Sequence, residues 1–336
     1  MLDNLRRPVR DLRISITDRC NFRCTYCMPK EIFGRDYPFL PRAEILTFEE
    51  IARLTRIFVG LGVTKARITG GEPLLRRNVD GLVNLLKTQV YPIGTLNEIT
   101  LTTNGARLAT LARPLVDAGL DRITVSLDSL DDSVFGRING VDHPTGEVLE
   151  GIDAALDAGL SVKVNMVVQR GVNESSILPM ARRFHGTGVV LRFIEFMDVG
   201  HTNGWHMADV VPAAEIVATI DAELPVEPVE PNYPGEVARR YRYVDGGGEI
   251  GVITSVTQPF CSGCTRARLS ADGTLYTCLF AVDGFDLRSL LRSSAVDSEI
   301  AEAVAGVWRA RNDRYSELRT AETAALPKVE MSRIGG

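Results

Sequence analysis

The chain has 336 residues, of which 45% are hydrophobic and 24% are charged, a composition that is ordinary for a soluble protein with a sizeable core. The formal net charge of −5 gives no global basic field for nucleic acid. No apolar run approaches the roughly 18 residues that span a bilayer, and the N-terminus lacks the apolar stretch of a secretory signal. We therefore expect a cytoplasmic protein that binds neither nucleic acid nor membrane.

Short β-rich runs alternate with helical patterns through the first 210 residues. A capping box, Thr47-Phe-Glu-Glu50, opens one helix, and a second helix is predicted over 146–158. The predicted strands cover 13–17, 65–69, 98–103, 122–127, 161–168 and 189–196. Strands that alternate with helices indicate a parallel sheet. The prediction is an α/β fold: an incomplete (β/α)6 barrel of the TIM type over residues 1–210.

The pattern changes after residue 210. The segment 224–234 is rich in Pro and Glu and is predicted to be a loop, whereas 239–244 and 248–256 are predicted strands. Asp272-Gly273 lies between two β-like runs and predicts a hairpin. We expect residues 211–336 to close the barrel, to carry the second of two cysteine groups described below with its metal cluster, and to end in a flexible tail with Gly335 and Gly336.

Polar residues recur where the predicted barrel strands end. They are Thr69, Thr102, Thr103, Asn104, Ser126, Asp128, Asn165 and Glu195. Polar residues often end strands, but in α/β barrels the site lies at the carboxyl ends of the strands. Their recurrence favours a shared cavity.

Three cysteines follow the first strand as Cys20-x-x-x-Cys24-x-x-Cys27. Cytosolic cysteines at close spacing indicate metal binding rather than disulfides. A structural zinc site uses four protein ligands, and neither a fourth cysteine nor a histidine lies nearby. Three thiolates instead suit an iron–sulfur cubane in which one iron stays open to a small molecule.

A second group of three cysteines, Cys261, Cys264 and Cys278, lies near the other end of the chain. Zinc completed by a distant ligand is compatible with this spacing. A second cluster with one open iron, able to coordinate a substrate, is the sharper interpretation.

Basic residues are placed on predicted strands rather than in loops. Arg266 and Arg268 share one face of a strand, as do Lys65 and Arg67. The others are Arg13, Lys163 and Arg192. Unpaired charge inside a barrel is costly, so each of them alone suits a solvated or paired face. As a set framed by two cysteine groups, they predict a site for a polyphosphate.

The first cysteine motif, with Tyr26 before its last cysteine, resembles the radical S-adenosylmethionine (SAM) superfamily. Gly70-Gly71-Glu72-Pro73 resembles the superfamily's segment that meets the SAM amino group. The resemblance implies that the open iron binds SAM, and that one electron cleaves it to methionine and a 5′-deoxyadenosyl radical.

A narrower resemblance is to the GTP 3′,8-cyclase family of molybdenum cofactor biosynthesis. It covers about residues 11–336, and it rests on both cysteine groups, on Arg266-Ala267-Arg268 and on the terminal glycine pair. It implies an enzyme with two [4Fe–4S] clusters and SAM. The implied reaction joins C3′ of the GTP ribose to C8 of guanine and yields 3′,8-cyclo-7,8-dihydro-GTP.

The same resemblance implies roles for individual residues. Cys20, Cys24, Cys27, Cys261, Cys264 and Cys278 hold the clusters, and Tyr26, Gly71, Ser126 and Met197 contact SAM. The expected GTP contacts are Arg13, Lys65, Arg67, Thr102, Lys163, Arg192, Arg266, Ala267 and Arg268, with Arg266 and Arg268 catalytic. The implied partners are an external electron donor and a cyclic pyranopterin monophosphate synthase that takes the product. The chain is expected to be a monomer or a homodimer.

Two other functions remain open on the sequence. A radical SAM enzyme that matures peptides also carries auxiliary clusters, although such enzymes usually have more C-terminal cysteines than the three found here. A non-catalytic zinc-binding scaffold is the second alternative. Metal content distinguishes the scaffold from both enzymes.

Overall fold

The computed structural model describes residues 1–94, 96–324 and 326–335. One sheet of twelve strands runs through the molecule, in the order β12-β11-β10-β1-β2-β3-β4-β5-β6-β9-β8-β7. The strands are β1 Asp11–Ser15, β2 Lys65–Thr69, β3 Glu98–Thr103, β4 Arg122–Ser126, β5 Ser161–Val168, β6 Val190–Glu195, β7 Val226–Val229, β8 Arg239–Tyr243, β9 Glu249–Ile253, β10 Arg266–Leu269, β11 Thr274–Tyr276 and β12 Phe285–Asp286.

Among the described residues, seven α-helices lie between strands in chain order and four follow the last strand. They are α1 Phe48–Gly60, α2 Val79–Leu85, α3 Leu108–Asp117, α4 Asp132–Asn139, α5 Thr145–Asp157, α6 Ile177–Phe184, α7 Ala213–Asp221, α8 Leu287–Leu291, α9 Asp297–Ala310, α10 Ala321–Ala324 and α11 Met331–Ile334. The predicted capping box opens α1: the Thr47 hydroxyl accepts from the Glu50 amide, and the Glu50 carboxylate accepts from the Thr47 amide.

The expected incomplete six-stranded α/β barrel is confirmed, because β1 to β6 pair in parallel and in chain order. The C-terminal region adds one parallel strand at each end of this wall: β10 pairs with β1, and β9 pairs with β6. The predicted hairpin at Asp272-Gly273 joins β10 to β11. The sheet thus runs across the predicted boundary at residue 210, which stays a prediction.

The predicted loop over 224–234 contains a strand that the sequence analysis missed. Val226–Val229 forms β7 at the edge of the sheet and pairs with β8. An edge strand tolerates Pro228 because the outer side of the strand needs no partner. The Pro- and Glu-rich composition predicted a loop, but the position at the edge of the sheet allows residues 226–229 to form a strand.

Burial alternates along β5 and β6 with the period of two that a half-polar inner face requires. In β5, Val162, Val164 and Met166 are buried in the hydrophobic core, while Lys163 and Asn165 lie between them in the cavity wall. The core therefore lies between sheet and helices, and the barrel interior carries polar chemistry. No helix in the described ranges is long and apolar enough to cross a membrane.

Candidate functional site: a cavity between two cysteine triplets

A cavity of about 500 Å³ occupies the barrel interior. Both cysteine triplets line its wall, as do the predicted SAM and GTP residues apart from Ala267: Arg13, Tyr26, Lys65, Arg67, Gly71, Thr102, Ser126, Lys163, Arg192, Met197, Arg266 and Arg268. The structure therefore brings together residues that are up to 265 positions apart in sequence, from Arg13 to Cys278.

The first triplet lies in the loop that follows β1. The loop turns at Cys24, whose carbonyl accepts from the amides of Cys27 and Met28 at 3.0 and 2.8 Å. Arg23 braces it by donating to the carbonyls of Phe33 and Cys20 at 2.6 and 2.8 Å. Burial raises the pKa of Cys20 to about 12, and it also raises the pKa values of the other two thiols. A metal cluster would displace these protons as it binds.

The glycine pair after β2 fits a close backbone approach. Gly70 has φ +150°, and a Cβ on Gly71 would overlap the carbonyl oxygen of Arg19 in the cysteine loop. The Gly71 amide donates to the Thr17 carbonyl at 2.7 Å. A side chain at Gly71 would therefore push the glycine segment away from the cysteine loop.

Tyr26 is oriented by a buried carboxylate. Its hydroxyl donates to Asp128 Oδ2 at 2.8 Å, and the Val167 amide donates to Asp128 Oδ1 at 2.8 Å. Burial raises the pKa of Asp128 to about 6, although both hydrogen bonds oppose the rise. Asn165, which faces the same cavity, has a buried Oδ1 without a partner among the described residues. Such an orphan acceptor is expected where a ligand donates.

The basic residues of the barrel wall carry charge that the protein leaves incompletely paired. Arg13, Arg67 and Arg192 each have a buried Nε that finds no partner in the described part of the chain. Burial lowers the pKa of Arg192 to about 9, helped by Arg67, and it lowers the pKa of Lys163 to about 8, helped by Arg122 and Arg192. Cations crowded in this way are stabilised by an anion with several oxygens.

Thr102 and Thr124 lie among these cations and hold two of them in place. Arg67 donates to the two hydroxyls at 3.3 and 3.5 Å, and Arg192 donates to Thr124 at 3.4 Å. These long contacts orient the guanidinium groups without neutralising them.

Sequence reasoning missed the residues at the far end of this cationic wall. Glu98 accepts from Arg122 and Lys65, with N···O distances of 2.6 and 2.9 Å, and all three line the cavity. Tyr233, from the predicted loop, also contacts Lys65 at 3.3 Å. Alternation along β4 could have revealed Arg122, because it stands two residues before Thr124.

The second triplet starts in a short turn before β10. Cys264 Sγ accepts from Arg266 at 3.2 Å and from Arg311 at 3.1 Å. Burial raises the pKa of the Cys264 thiol, but the two guanidinium groups outweigh burial and lower it to about 6. Burial raises the pKa of Cys278 to about 11. Cys264 is therefore better prepared than Cys278 to act as a thiolate ligand.

The two triplets suit clusters better than a single ion. Among the described residues, no three His, Cys, Asp or Glu side chains are placed to share one metal ion. The three thiolates of a cubane bind three different irons and accept a wider spacing than tetrahedral zinc. Cys20, Cys24 and Cys27 would hold one cluster, and Cys261, Cys264 and Cys278 the other.

Two predicted site residues have other surroundings than expected. The Ala267 side chain is fully buried in the hydrophobic core, because it alternates along β10 with the inward-facing Arg266 and Arg268. The expected contact of Ala267 with GTP stays a prediction, and the buried side chain would not take part in it. Glu195 does reach the cavity wall, but its carboxylate is occupied by the amides of Ala213, Val256 and Thr257 at 2.8 to 2.9 Å.

The C-terminal segment packs into the mouth of the barrel instead of extending freely. Ile334 is fully buried, and the Gly335 carbonyl accepts a hydrogen bond from Arg268. Gly335 has φ +74°, and a Cβ there would overlap the Thr69 side chain. Arg333 pairs with Asp272. Gly336 lies outside the described residues.

The partial barrel, the cysteine loop after its first strand and the glycine pair after its second define a radical SAM protein. The family model described as Radical SAM superfamily matches residues 14–184, and the model described as Molybdenum Cofactor Synthesis C matches 189–317. The crystal structure of Streptococcus suis SuiB bound to S-adenosylmethionine shares the fold, with a TM-score of 0.64 and 14% identity, over 96% of this chain and 72% of that chain.

Full-length relatives narrow the assignment. The protein named GTP 3′,8-cyclase from Acidothermus cellulolyticus is 52% identical, over 99% of this chain and 98% of the relative. The one from Staphylococcus aureus strain JH9 is 51% identical, over 99% and 98%. The chain belongs to the GTP 3′,8-cyclase family. This membership confirms the expected cofactors, SAM and iron–sulfur clusters, and it favours the cyclase over the peptide-maturing and zinc-scaffold alternatives.

Proposed function

We propose that this chain cyclises GTP to 3′,8-cyclo-7,8-dihydro-GTP, a first step towards the molybdenum cofactor. The observation that carries the proposal is one cavity that is lined by both cysteine triplets and by incompletely paired cations. The relatives' names give the reaction, and the cavity offers what that reaction needs: a place for SAM, a place for guanine and a grip for a triphosphate.

The chain's own residues bind and orient the two small molecules. When bound, the N-terminal cluster supplies one electron for the cleavage of SAM to methionine and a 5′-deoxyadenosyl radical, which removes the 3′ hydrogen of the ribose. Tyr26, Gly71, Ser126 and Met197 position SAM, with Tyr26 fixed by Asp128. Holding the two reactants in one enclosed cavity replaces a random encounter with an oriented one.

The cationic wall holds the triphosphate. Arg13, Lys65, Arg67, Lys163 and Arg192 surround the phosphate oxygens, and Thr102 keeps Arg67 in place. Arginine forks match phosphate oxygens in pairs, so they fix direction as well as charge. The ribose is then presented to the first triplet while the guanine extends towards the second.

Arg266 and Arg268 act at the guanine end. Arg266 donates to Cys264 Sγ at 3.2 Å, and Arg268 donates to the Gly335 carbonyl. After the C3′ radical has added to C8, one electron and one proton complete the dihydroguanine ring. Fixed positive charge beside the ring favours acceptance of that electron.

The proposal also covers the electron donor, the enzyme that takes the product, the compartment and the oligomeric state. The electrons come from an external donor, and a cyclic pyranopterin monophosphate synthase takes the product. The protein works in the cytoplasm as a monomer or a homodimer.

The test is anaerobic incubation of the reconstituted protein with SAM, dithionite and GTP. We expect about eight irons per chain, as two cubanes require, and equal formation of 5′-deoxyadenosine and cyclised GTP by mass spectrometry. Fully loaded protein that forms neither product would overturn the proposal. Bound zinc in a colourless protein would favour the scaffold instead.

A further inference from the structure

A buried ionic cluster from both ends of the chain lies beside the second triplet. Asp3 Oδ2 accepts from Arg7 Nε at 2.6 Å and from Arg311 Nη1 at 3.3 Å, and the three side chains are at most 2% exposed. Asp313 also pairs with Arg311, at 3.2 Å. Buried ion pairs of this kind contribute little net stability, which raises the question of what they position.

The two arginines direct their remaining donors at the cysteine turn. Arg311 donates to the Cys264 carbonyl at 2.8 Å and to the Cys264 Sγ at 3.1 Å. Arg7 donates to the Cys261 carbonyl at 2.8 Å. Asp3 and Asp313 thus hold the arginines while the arginines hold two of the three cysteines.

Arg7 also carries a donor that nothing in the described chain uses. Its Nη2 is buried and has no partner among the described residues, although Arg7 lies in the wall of the cavity. An unused guanidinium N–H is costly in a protein interior unless a ligand accepts from it. The sulfur atoms of a cluster held by this triplet are acceptors of the right kind.

Hydrogen bonds to the sulfur ligands of a cluster change its reduction potential. Reduction adds one electron to the cluster, and the added negative charge is shared by the thiolate sulfurs. A donor that points at a thiolate stabilises the reduced form more than the oxidised form. Its removal should therefore lower the potential.

We propose that Arg311, with a smaller contribution from Arg7, sets the reduction potential of the C-terminal cluster by donating hydrogen bonds to its ligands. Arg311 is a positioning residue, because it acts on the cluster through Cys264 and not on GTP. The inference depends on the second cluster of the proposed function, but it does not depend on GTP being the substrate.

The test is a redox titration of the reconstituted full chain, followed by electron paramagnetic resonance. The signal that SAM alters belongs to the N-terminal cluster, which serves as an internal reference. In Arg311→Gln we expect the equilibrium constant for reducing the C-terminal cluster to fall about tenfold, equal to 59 mV for a one-electron couple. The N-terminal potential should stay unchanged.

Two further variants separate tuning from support of the fold. Arg311→Lys keeps the positive charge but loses the two-pronged guanidinium group. The potential of its C-terminal cluster should therefore lie between that of the unsubstituted protein and that of Arg311→Gln. Arg319→Lys is the matched control, because Arg319 is 3% exposed and pairs with the buried Asp198 at 2.7 Å. We expect it to leave the C-terminal potential unchanged.

An unchanged C-terminal potential in iron-loaded Arg311→Gln would overturn the inference. So would the loss of C-terminal iron from both Arg311 variants, because Arg311 would then only hold the loop. If the unsubstituted protein bound no C-terminal cluster, the proposed function would be refuted instead. Iron analysis shows this before any variant is made.

Discussion

Lys163 shows how the barrel interior prepares a side chain for an anion. Burial lowers its pKa to about 8, and the neighbouring Arg122 and Arg192 add to the shift. Below this pH the lysine is charged although it is crowded by other cations. A bound triphosphate would relieve that crowding and raise the pKa of Lys163.

This shift predicts a pH dependence of GTP binding. As the pH rises through about 8, Lys163 loses its proton in the free protein, and the affinity for GTP should fall. Lys163→Arg keeps its charge in this range, so its affinity should change less between pH 7 and 9. Calorimetric titration with GTP at several pH values measures both. Equal pH profiles for the two proteins would contradict the assignment of this effect to Lys163.

Arg266 is predicted to serve the reaction without being needed for the cluster. In Arg266→Ala, Arg311 still donates to Cys264 at 3.1 Å, so iron content should be kept. Product formation should fall about 100-fold or more, as it does when a charge-stabilising donor is removed. Iron analysis and mass spectrometry of the product measure the two effects.

The control for Arg266 is Arg239→Ala, because Arg239 is exposed on strand β8 near the edge of the sheet. It should keep both iron and product. If Arg266→Ala lost iron in proportion to product, Arg266 would have a structural role only.

Alternation along single strands decided which residues the sequence could reveal. Cysteine spacing and the glycine pair pointed to cofactors because these motifs are local. Glu98 was missed because its importance comes from ion pairs with Lys65 and Arg122 on the two neighbouring strands, and pairing between strands is not visible in one sequence. The side chain of Ala267 points away from Arg266 and Arg268 because adjacent residues on a strand point to opposite faces.

Strand β6 ends in a carboxylate that fastens the two halves of the chain together. Glu195 is fully buried and accepts from the amides of Ala213, Val256 and Thr257. The recurrence of polar residues at strand ends predicted a shared cavity, and Glu195 does lie in its wall, but its carboxylate binds the backbone. Its partners lie 18 to 62 positions away, so no local pattern could have shown this use.

Glu195→Gln should destabilise the protein. An amide NH2 would face backbone N–H groups, and the lost charge-assisted hydrogen bonds should cost about 1–3 kcal/mol of the free energy of unfolding. Urea unfolding of the cluster-free protein, followed by circular dichroism, measures the change. Glu215→Gln is the control, because Glu215 pairs with Arg170 on the surface and should change stability little. Equal stability of the two variants would contradict this role of Glu195.

At the scale of the whole molecule, residues 331–335 pack against the strands of the barrel, and Met331 lines the cavity. The Gly335 carbonyl accepts from Arg268, and α11 packs Ile334 into the interior. From composition alone these residues suggested a flexible tail, because the contacts that hold them come from β2 and β10. Only the folded barrel brings Thr69 and Arg268 to one place.

Gly335→Ala is predicted to reduce turnover without loss of iron. Its φ of +74° disfavours any side chain, and the added methyl would overlap Thr69. Displacement of the segment from Arg268 should lower the rate of product formation roughly 10–100-fold. Gly306→Ala in α9 is the control, because its Cβ would meet nothing within 4 Å. A normal rate for Gly335→Ala would show that the packing of this segment does not matter for catalysis.

The pairing of β1 with β10 has a consequence for how the protein is made. Asp11 lies opposite Arg266 in this ladder, so one side of β1 has no neighbour until about four-fifths of the chain has left the ribosome. Loop closure over such a distance is slow, and a bare strand edge invites aggregation. The nascent chain thus displays the first cysteine loop long before the second one exists. We expect chaperones to protect this incomplete barrel in the cell. We also expect the second cluster to be assembled late.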